Sequence, residues 1–410
     1  MNHSQDDVTR AVRSGLESDL QHGAVVPPLH LSTSFTFEAF DKKRQYDYTR
    51  SGNPTRDQLG DALADLEHGA GGVITSSGMS AITLVLQLLQ PGDLLLAPHD
   101  CYGGTHRLIT TLAERGQFDL SVIDQSDPEA LAAAARLRPK MIWVETPSNP
   151  LLRITDISAL VELGREVGAL VVVDNTFLSP VFQRPLDLGA DIVVHSTTKY
   201  LNGHSDVVGG AAIARTPELF EELAWWGNCL GLTGAPFDSF LILRGLRTLH
   251  ARMRTHVENV EAVVDLLLVH PAVQRVNYPG LPDHPGHELA KSQQTGFGAM
   301  VSFELFPGEG AMEALLDGLD CFSLAESLGG VESLVSHPAT MTHAAMDPGS
   351  RAVAGISNEL VRVSVGIEAA EDLCRDLSAG LDRARSQQVR PRPSMTVDAG
   401  GAAELASLSD

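Results

Sequence analysis

The sequence predicts an α/β protein in which a mostly parallel sheet forms a large domain and a smaller α+β domain follows it. Between about residues 61 and 250, short uninterrupted apolar runs alternate with stretches of helical pattern. This alternation is typical of a parallel sheet that helices cover on both faces. From residue 251 to residue 385 the pattern changes to a long helical stretch, alternating segments and a last helix, which indicates the second domain.

Seven apolar runs are the predicted strands of the large domain, and helical stretches separate several of them. The runs lie at residues 72–75, 94–97, 120–123, 141–144, 170–173, 192–195 and 211–213. The helical stretches lie at residues 80–90, 128–137 and 156–167. In the second domain we predict helices at residues 255–270 and 370–385, and strands at residues 299–305 and 360–365. Ligands bind beyond the carboxyl ends of strands in such sheets, so the residues after each run are candidates for a site.

The two ends of the chain are predicted to lie outside these domains. Residues 1–60 are loop-rich, with several prolines and glycines, and are predicted to form an extended arm. Residues 386–410 combine prolines with a run of glycine, alanine and serine, and are predicted to be a disordered tail.

Charge and cysteine content limit the classes of function. The chain has 410 residues, with 30 Lys and Arg against 52 Asp and Glu, which gives a net charge of −22. This acidity disfavours nucleic-acid and anionic-membrane partners but is compatible with a local cationic pocket. The four cysteines form no CxxC pair, so we predict free thiols and no metal site. Because the N-terminus lacks an apolar signal-peptide core, we predict a cytoplasmic protein.

The turn after the first apolar run is a candidate phosphate site. It reads Ser76-Ser77-Gly78-Met79-Ser80 and opens a predicted helix. Small residues before a helix N-terminus expose backbone N–H groups, which suits a phosphate. A simple strand-to-helix turn is the alternative, and the usual dinucleotide and nucleotide-triphosphate motifs are absent from this turn.

Two charged residues follow buried runs. Asp174 comes directly after the fifth run, where its carboxylate needs a cationic or hydrogen-bonding partner, such as a protonated pyridine nitrogen. A helix N-cap and a metal ligand are the alternatives for Asp174. Lys199 follows the sixth run, and burial there lowers the pKa of an amine that can then form a Schiff base. The neighbouring hydroxyls of Ser196 and Thr198 can bind a phosphate, although a lysine that extends to solvent is the alternative for Lys199.

The turn after the fourth run contains a candidate amide. Two prolines fix the segment Glu145-Thr146-Pro147-Ser148-Asn149-Pro150, and the Asn149 amide can bind a phenolate-type oxygen. Ordinary turn chemistry is the alternative. In chain order the candidates are the phosphate turn, the aromatic residue Tyr102, Asn149, Asp174 and the Ser-x-Thr-Lys segment. This set resembles the fold-type I pyridoxal phosphate enzymes.

The resemblance narrows to the Cys/Met-metabolism family and covers about residues 8–385. The stretches that carry it are YDYTRSGNPTR (46–56), SSGMSA (76–81), PHDCYGG (98–104), ETPSNPLLR (145–153), VDNTF (173–177), HSTTKYLNGHSD (195–206) and AESLGGVESLVSHPATMTH (325–343). It implies a seven-stranded fold-type I transferase whose cofactor is pyridoxal 5'-phosphate. A non-catalytic binding protein on the same sheet is the alternative from another class, and the intact Lys199, Asp174 and Arg362 argue against it.

The resemblance also implies an activity. In the bacterial cystathionine γ-synthases of this family, γ-replacement joins O-succinylhomoserine or O-acetylhomoserine to cysteine and gives cystathionine for methionine biosynthesis. A cystathionine γ-lyase and an O-acylhomoserine sulfhydrylase are the alternatives. Ser51 stands where the closest synthases have a second arginine, and many γ-lyases have a small residue there. Gly104 stands where methionine γ-lyases have a cysteine, which disfavours that activity.

The cofactor residues implied by the resemblance are mostly the strand-end candidates. Lys199 carries the cofactor as a Schiff base and moves protons, and Asp174 pairs with the pyridine nitrogen. Tyr102 stacks on the ring and assists the first proton transfer. The residues implied to complete the cofactor site are Gly78, Met79, Asn149, Ser196 and Thr198.

The implied substrate and subunit contacts lie farther apart in the chain. Arg362 binds the substrate α-carboxylate, and Glu326 holds the ammonium group of the incoming amino acid. Tyr48 and Arg50 reach the phosphate of a neighbouring subunit, which implies a catalytic dimer and, for the family, a homotetramer of two such dimers. The residues implied to complete the substrate pocket are Asn149, Ser327 and Arg107.

Overall fold

The computed structural model describes residues 5–344, 349, 351 and 354–388, and its largest element is a seven-stranded sheet. The strands are β1 (Gly71–Thr75), β2 (Leu94–Pro98), β3 (Asp119–Ile123), β4 (Met141–Glu145), β5 (Leu170–Asp174), β6 (Ile192–Ser196) and β7 (Gly210–Ala214). Their order is β1-β7-β6-β5-β4-β2-β3. Strand β7 is antiparallel to both of its neighbours, and the pairs from β6 to β3 are parallel. All seven predicted strands and the mostly parallel sheet are confirmed.

Helices cover both faces of this sheet. They are α1 (Asp7–Arg13), α2 (Pro54–Glu67), α3 (Gly78–Leu86), α4 (Gly103–Glu114), α5 (Pro128–Arg136), α6 (Ile157–Val167), α7 (Ser179–Phe182), α8 (Pro217–Leu230), α9 (Pro236–Leu246) and α10 (Leu249–Val269). Alternate residues of a strand belong to different hydrophobic clusters on the two faces of the sheet. Val173 and Val193 belong to the cluster that contains α2, whereas Val172 and Val194 belong to the cluster that contains α3. Burial of both faces explains why the strands are continuous apolar runs rather than alternating ones.

A second, five-stranded sheet follows. Its strands are β8 (Val273–Asn277), β9 (Met300–Leu305), β10 (Phe322–Leu324), β11 (Ser333–Ser336) and β12 (Leu360–Ser364), in the order β10-β11-β12-β9-β8. The further helices are α11 (His287–Gln293), α12 (Ala311–Leu316) and α13 (Ala370–Gln387). Strands β9 and β12 and the helices α10 and α13 agree with the predicted elements. Among the described residues, no helix is both long and apolar enough to cross a membrane.

The predicted chain ends differ from the structure at three points. Helix α1, which begins at Asp7, lies inside the predicted arm. Helix α2 begins at Pro54, inside the predicted arm, because Asn53 Oδ1 accepts hydrogen bonds from the first turn and Pro54 occupies the first helical position. At the other end, α13 continues through Gln387, two residues into the predicted tail. Residues 389–410 of that tail lie outside the described residues. The domain boundaries themselves stay a prediction.

Between α1 and α2 the arm contains little regular structure. Its strand-like pairing consists of isolated bridges, Ser34 with Tyr48 and Ala39 with Lys42. Phe40 and Leu31 expose most of their side chains.

Candidate active site

A cavity of about 410 Å³ lies at the carboxyl ends of β4, β5 and β6. Residues of the second sheet and of the loops beside it close its opposite side. The lining residues are Ser77, Gly78, Met79, Ile82, Tyr102, Glu145, Pro147, Asn149, Asp174, Thr176, Phe177, Val194, Ser196, Thr198, Lys199, Val208, Glu326, Ser327, Leu328, Thr342 and Arg362. Eleven of the fourteen predicted site residues line it, although they come from segments spread over nearly three hundred positions.

The turn from β1 into α3 brings a helix N-terminus to the cavity. Ser77 caps α3 by accepting a hydrogen bond from the Ser80 backbone N–H at 3.0 Å. Gly78 packs directly on β6, since a Cβ atom at that position would lie 2.9 Å from the Ser196 Cβ atom. The turn therefore needs glycine, and its first-turn N–H groups, which have no partner within the helix, lie beside the Ser196 side chain.

The Ser-x-Thr-Lys segment lies partly outside strand β6. Strand β6 ends at Ser196, and residues 197–200 form a turn. Thr198 Oγ1 accepts a hydrogen bond from the Gly209 N–H at 3.0 Å. Ser196 and Thr198 thus both line the cavity, but through a strand end and a turn rather than through one continuous strand face.

Lys199 enters the cavity with its amine largely removed from water. Its Nζ donates a hydrogen bond to Ser327 Oγ at 2.7 Å. Burial, together with the nearby Arg362 guanidinium, lowers the pKa of Lys199 to about 8, while Glu326 acts in the opposite direction. An amine with this pKa can accept and release a proton near neutral pH.

We expect Lys199 to be unusually reactive in the cofactor-free protein. Because its pKa is about 8, the rate at which an amine-acylating reagent modifies it should rise through a midpoint near pH 8. An ordinary lysine has its midpoint at about 10.4. Labelling with peptide-resolved mass spectrometry across pH measures this, and a Lys199 midpoint above about pH 10 would contradict the described environment.

Two buried carboxylates lie side by side at the ends of β4 and β5. Glu145 and Asp174 are paired residues in the parallel register. Glu145 accepts hydrogen bonds from the Tyr102 N–H at 2.6 Å and from Trp143 Nε1 at 3.0 Å. Burial, reinforced by Asp174, raises the pKa of Glu145 to about 8, and burial also raises the pKa of Asp174. The pair therefore favours a cationic ligand group in the cavity.

Glu145 was missed by the sequence analysis, which assigned it to the turn after β4. The signal that identified Asp174, a charge at the end of a buried apolar run, is present at Glu145 as well. Through its bond to the Tyr102 N–H, Glu145 fixes the N-cap residue of α4. Tyr102 keeps less than half of its side chain exposed, and that side chain lines the cavity.

Replacement of Glu145 with glutamine should change how the stability of the cofactor-free protein depends on pH. A carboxyl group whose pKa is higher in the folded state than in the unfolded state stabilises the fold while it is protonated in both states. For a glutamate this holds below the unfolded-state pKa of about 4.3. That contribution disappears as pH rises through the folded pKa of about 8. Relative to Glu145→Gln, wild type should lose free energy of unfolding between pH 5 and pH 8. Urea denaturation at both pH values measures this, and an unchanged difference between the two proteins would contradict it.

Arg362, on β12, is buried and held from two sides. Its Nη1 donates to Asn149 Oδ1 at 3.0 Å, and its Nη2 donates to the Ser327 carbonyl oxygen at 2.9 Å. The buried Nε has no hydrogen-bond partner among the described residues. Burial lowers the pKa of Arg362 to about 10, and Glu326 opposes this shift. A fixed guanidinium with a free donor is suited to bind a carboxylate.

Ser327 connects the lysine and the arginine. It accepts from Lys199 through Oγ and from Arg362 through its carbonyl oxygen. Its φ of 91° lies in the region that favours glycine, so its backbone is strained. Non-glycine residues hold such conformations where surrounding contacts fix them, and here those contacts are the two cationic side chains.

Three predicted site residues do not line the cavity of the single chain. Tyr48 is half-exposed on the arm, and Arg50 donates from Nη1 to the Asn228 carbonyl oxygen at 2.8 Å and to Asn228 Oδ1 at 2.7 Å. Arg107 is exposed on α4. The positions of Tyr48 and Arg50 are compatible with a role in a neighbouring subunit, and the role of Arg107 stays a prediction.

Comparison with known proteins gives relatives along nearly the whole chain. The chain is 57% identical over 378 residues to cystathionine gamma-synthase of Escherichia coli, covering 92% of this chain and 98% of the relative. It is 44% identical over 376 residues to cystathionine gamma-lyase of Dictyostelium discoideum, covering 92% of this chain and 97% of the relative. A solved structure of cystathionine gamma synthase from Xanthomonas oryzae pv. oryzae in complex with cystathionine is 62% identical, with a TM-score of 0.93, and the match covers 93% and 99% of the two chains.

The family model is described as Cys/Met metabolism PLP-dependent enzyme, and it matches residues 8–382. Those residues include both sheets and every residue that lines the cavity. The chain belongs to the family of Cys/Met metabolism PLP-dependent enzymes.

Proposed function

We propose that this chain catalyses γ-replacement, in which an O-acylhomoserine and cysteine give cystathionine. The observation that carries the proposal is that one cavity combines an amine of lowered pKa, Lys199, with a fixed guanidinium, Arg362, and a carboxylate, Glu326. Its likeness to cystathionine gamma-synthase of Escherichia coli and to the Xanthomonas oryzae enzyme in complex with cystathionine supports this choice of reaction.

The cavity fits pyridoxal phosphate, the cofactor of the family. Its volume lies in the range of small-molecule sites. The first-turn N–H groups at Gly78 and Met79, together with the hydroxyls of Ser196 and Thr198, would hold the phosphate. Asp174 would pair with the pyridine nitrogen, because a buried carboxylate whose pKa is raised by burial is stabilised when a cation lies beside it.

When bound, pyridoxal phosphate supplies the electron sink that makes the Cα proton of an amino acid acidic. Lys199 would hold the cofactor and carry protons at Nζ, which its pKa of about 8 permits. Tyr102 would cover the ring and exclude water from one face. Glu145 keeps Tyr102 at that position through its backbone N–H.

The substrate groups match the remaining side chains of the cavity. Arg362 would bind the α-carboxylate through Nε, while Asn149 and Ser327 hold its other nitrogens in place. Glu326 would bind the ammonium group of cysteine. In the reaction the bond between Cγ and the acyloxy oxygen breaks and a bond between the cysteine sulfur and Cγ forms. The acyl group leaves as a carboxylate, and the thiol proton is released with it.

A second candidate, γ-elimination of cystathionine, is favoured by one position. Ser51 stands where the resemblance to the synthases implies a second arginine, and its hydroxyl donates to the Tyr48 carbonyl oxygen at 2.7 Å within the arm. A serine there provides no positive charge for a succinyl group. The likeness to cystathionine gamma-lyase of Dictyostelium discoideum is compatible with this candidate.

A steady-state comparison of substrates separates these reactions. O-Succinylhomoserine, O-acetylhomoserine and cystathionine are each supplied with and without cysteine, and the products are quantified. If the chain catalyses γ-replacement, we expect the highest kcat/KM for one of the two acyl esters when cysteine is also supplied. If cystathionine alone gives cysteine and 2-oxobutyrate at a higher kcat/KM, the lyase replaces the synthase. Sulfide accepted far better than cysteine would instead indicate a sulfhydrylase.

We further propose that the catalytic unit is a dimer and that the protein is a homotetramer of two such dimers. Tyr48 and Arg50 lie on an arm with exposed apolar side chains, and neither residue lines the cavity of its own chain. This arrangement supports a role for both residues at the phosphate of a neighbouring subunit. Light scattering coupled to gel filtration measures the mass, and a monomer at assay concentration would contradict the proposal.

Mixed dimers should recover activity that neither parent has. Lys199→Ala and Arg50→Ala subunits, denatured together and refolded, should form sites that take Lys199 from one chain and Arg50 from the other. One of the two sites in each mixed dimer is then intact. Activity that stays at the sum of the separately refolded parents would show that Arg50 serves its own chain.

We also propose that the protein acts in the cytoplasm. All four cysteines are free in the structure, which agrees with a reducing compartment. Immunoblots of fractionated cells test this, and recovery of the protein outside the cytoplasm would contradict it.

A further inference from the structure

A buried carboxyl–imidazole pair lies on the far side of the large sheet from the cavity. Glu67, the last residue of α2, and His195, on β6, are both fully buried. Glu67 Oε1 and His195 Nε2 are 2.6 Å apart. The same Oε1 accepts a hydrogen bond from Asn175 Nδ2 at 2.9 Å. One carboxylate oxygen therefore joins two neighbouring strand ends, β5 and β6.

Each residue joined by Glu67 is next in the chain to a proposed cofactor residue. Asn175 follows Asp174, and His195 precedes Ser196. Side chains alternate across a strand, so Asn175 and His195 extend toward α2 while Asp174 and Ser196 line the cavity. Movement of either side chain on the far side would move the neighbouring cofactor residue with it.

The hydrogen bonds continue to a third strand end and to the second domain. Gln183 Nε2 donates to Asn175 Oδ1 at 3.0 Å and to the Thr146 carbonyl oxygen at 3.1 Å. Thr146 directly follows Glu145 at the end of β4. Gln294, after α11, donates from Nε2 to Gln183 Oε1 at 3.1 Å. The three strands whose ends form the cavity are thus joined through buried polar side chains.

Stability alone does not account for this pair. Removing a carboxyl group and an imidazole from water is costly, and apolar residues of similar volume often give equal or higher stability. Here Glu67 Oε2 and His195 Nδ1 have no hydrogen-bond partner among the described residues, so the pair is incompletely satisfied. Buried polar groups that cost stability call for another explanation. The neighbouring His195 also acts to lower the pKa of Asp174, against the effect of burial.

We propose that Glu67 and His195 are positioning residues for the cofactor, which hold Asp174 and Ser196 in place from the opposite face of the sheet. The proposal rests on the proposed cofactor roles of Asp174 and Ser196. Neither Glu67 nor His195 lines the cavity, so their effect on the cofactor passes through the strand ends.

Cofactor affinity tests the proposal. Glu67→Gln retains the side-chain shape and an oxygen for Asn175 but removes the charge, and His195→Gln removes the imidazole. Pyridoxal phosphate is titrated into each cofactor-free protein and followed by visible absorbance. We expect the Kd to rise about tenfold in both variants, as when a buried partner behind a ligand-holding group is removed. The pH midpoint of the bound cofactor's absorbance should move upward as well, since a weaker Asp174 contact reduces electron withdrawal by the ring.

A matched control separates positioning from a general loss of stability. Asn259 is also buried, and its Nδ2 donates to the carbonyl oxygens of Gly366 at 3.0 Å and Glu368 at 2.7 Å, away from the three strand ends. Asn259→Ala should lower the melting temperature and leave the Kd within about twofold of wild type, because it changes no strand end of the cavity.

Several outcomes would overturn the proposal. The proposal is wrong if the Glu67→Gln and His195→Gln proteins fold and bind the cofactor with the Kd of wild type. It is also wrong if Asn259→Ala loses as much cofactor affinity as these two variants. If neither Glu67→Gln nor His195→Gln folds, the pair is required for the fold as a whole and the specific role is wrong. A wild-type protein that binds no pyridoxal phosphate would instead overturn the proposed function itself.

Discussion

Replacing Lys199 with alanine is expected to lower kcat about 10⁴-fold and to give a colourless protein. The expected loss reflects removal of a positioned proton carrier, which alone contributes up to about 10⁴-fold. Alanine also removes the amine that would bind the cofactor covalently. Steady-state assays and visible absorbance of the purified protein measure the two effects. Because Ser327 loses only one hydrogen-bond donor and the substitution removes a buried amine without adding a buried charge, the fold should persist.

Lys291 provides a matched control for Lys199→Ala. It is a surface lysine, 52% exposed, whose Nζ lies 3.1 Å from Glu288 Oε1. Lys291→Ala should keep the colour and kcat of wild type, because exposed ion pairs contribute little to stability. A Lys199→Ala protein that remained yellow with a similar kcat would show that another amine carries the cofactor.

Replacing Arg362 with lysine should lower kcat/KM about 100-fold, which corresponds to about 3 kcal/mol. Lysine keeps the positive charge but lacks the planar set of donors, so it cannot bond Asn149, Ser327 and a substrate carboxylate together. Most of the loss should lie in KM, since the carboxylate is bound in both the ground state and the transition state. The visible absorbance of bound cofactor should change little.

Arg375 is the control for Arg362. It is 73% exposed and forms a surface ion pair with Asp372. Arg375→Lys should leave kcat/KM unchanged within about twofold, because the pair is exposed to solvent. If Arg362→Lys also retains the wild-type kcat/KM, the α-carboxylate is bound elsewhere.

Site residues are easiest to predict from the sequence where a charged residue directly follows an apolar run. Asp174 and Lys199 follow continuous apolar runs, so their charges stand out, and a parallel sheet brings such strand ends together. Ser327 and Arg362 were predicted as site residues only from the family resemblance, because no sequence periodicity relates them to the strands of the first sheet. Glu145, like Asp174, is a charged residue at the end of an apolar run. Because it is followed by a turn that contains two prolines, we interpreted it as part of that turn.

Other features depend on contacts that periodicity cannot reveal. Glu67 and His195 are 128 residues apart, and each looks ordinary in its own segment. The start of α2 was missed for a different reason. The capping signal at Asn53 and Pro54 was present, but the prolines and glycines before it suggested a longer loop.

The most direct test of the proposed reaction follows the cysteine sulfur. Purified holoenzyme is supplied with sulfur-labelled cysteine and O-succinylhomoserine or, in parallel, O-acetylhomoserine. We predict labelled cystathionine and one carboxylate released for each cystathionine formed, with little 2-oxobutyrate while cysteine is saturating. It would be contradicted if 2-oxobutyrate and ammonia formed at the same rate with and without cysteine and no label entered cystathionine.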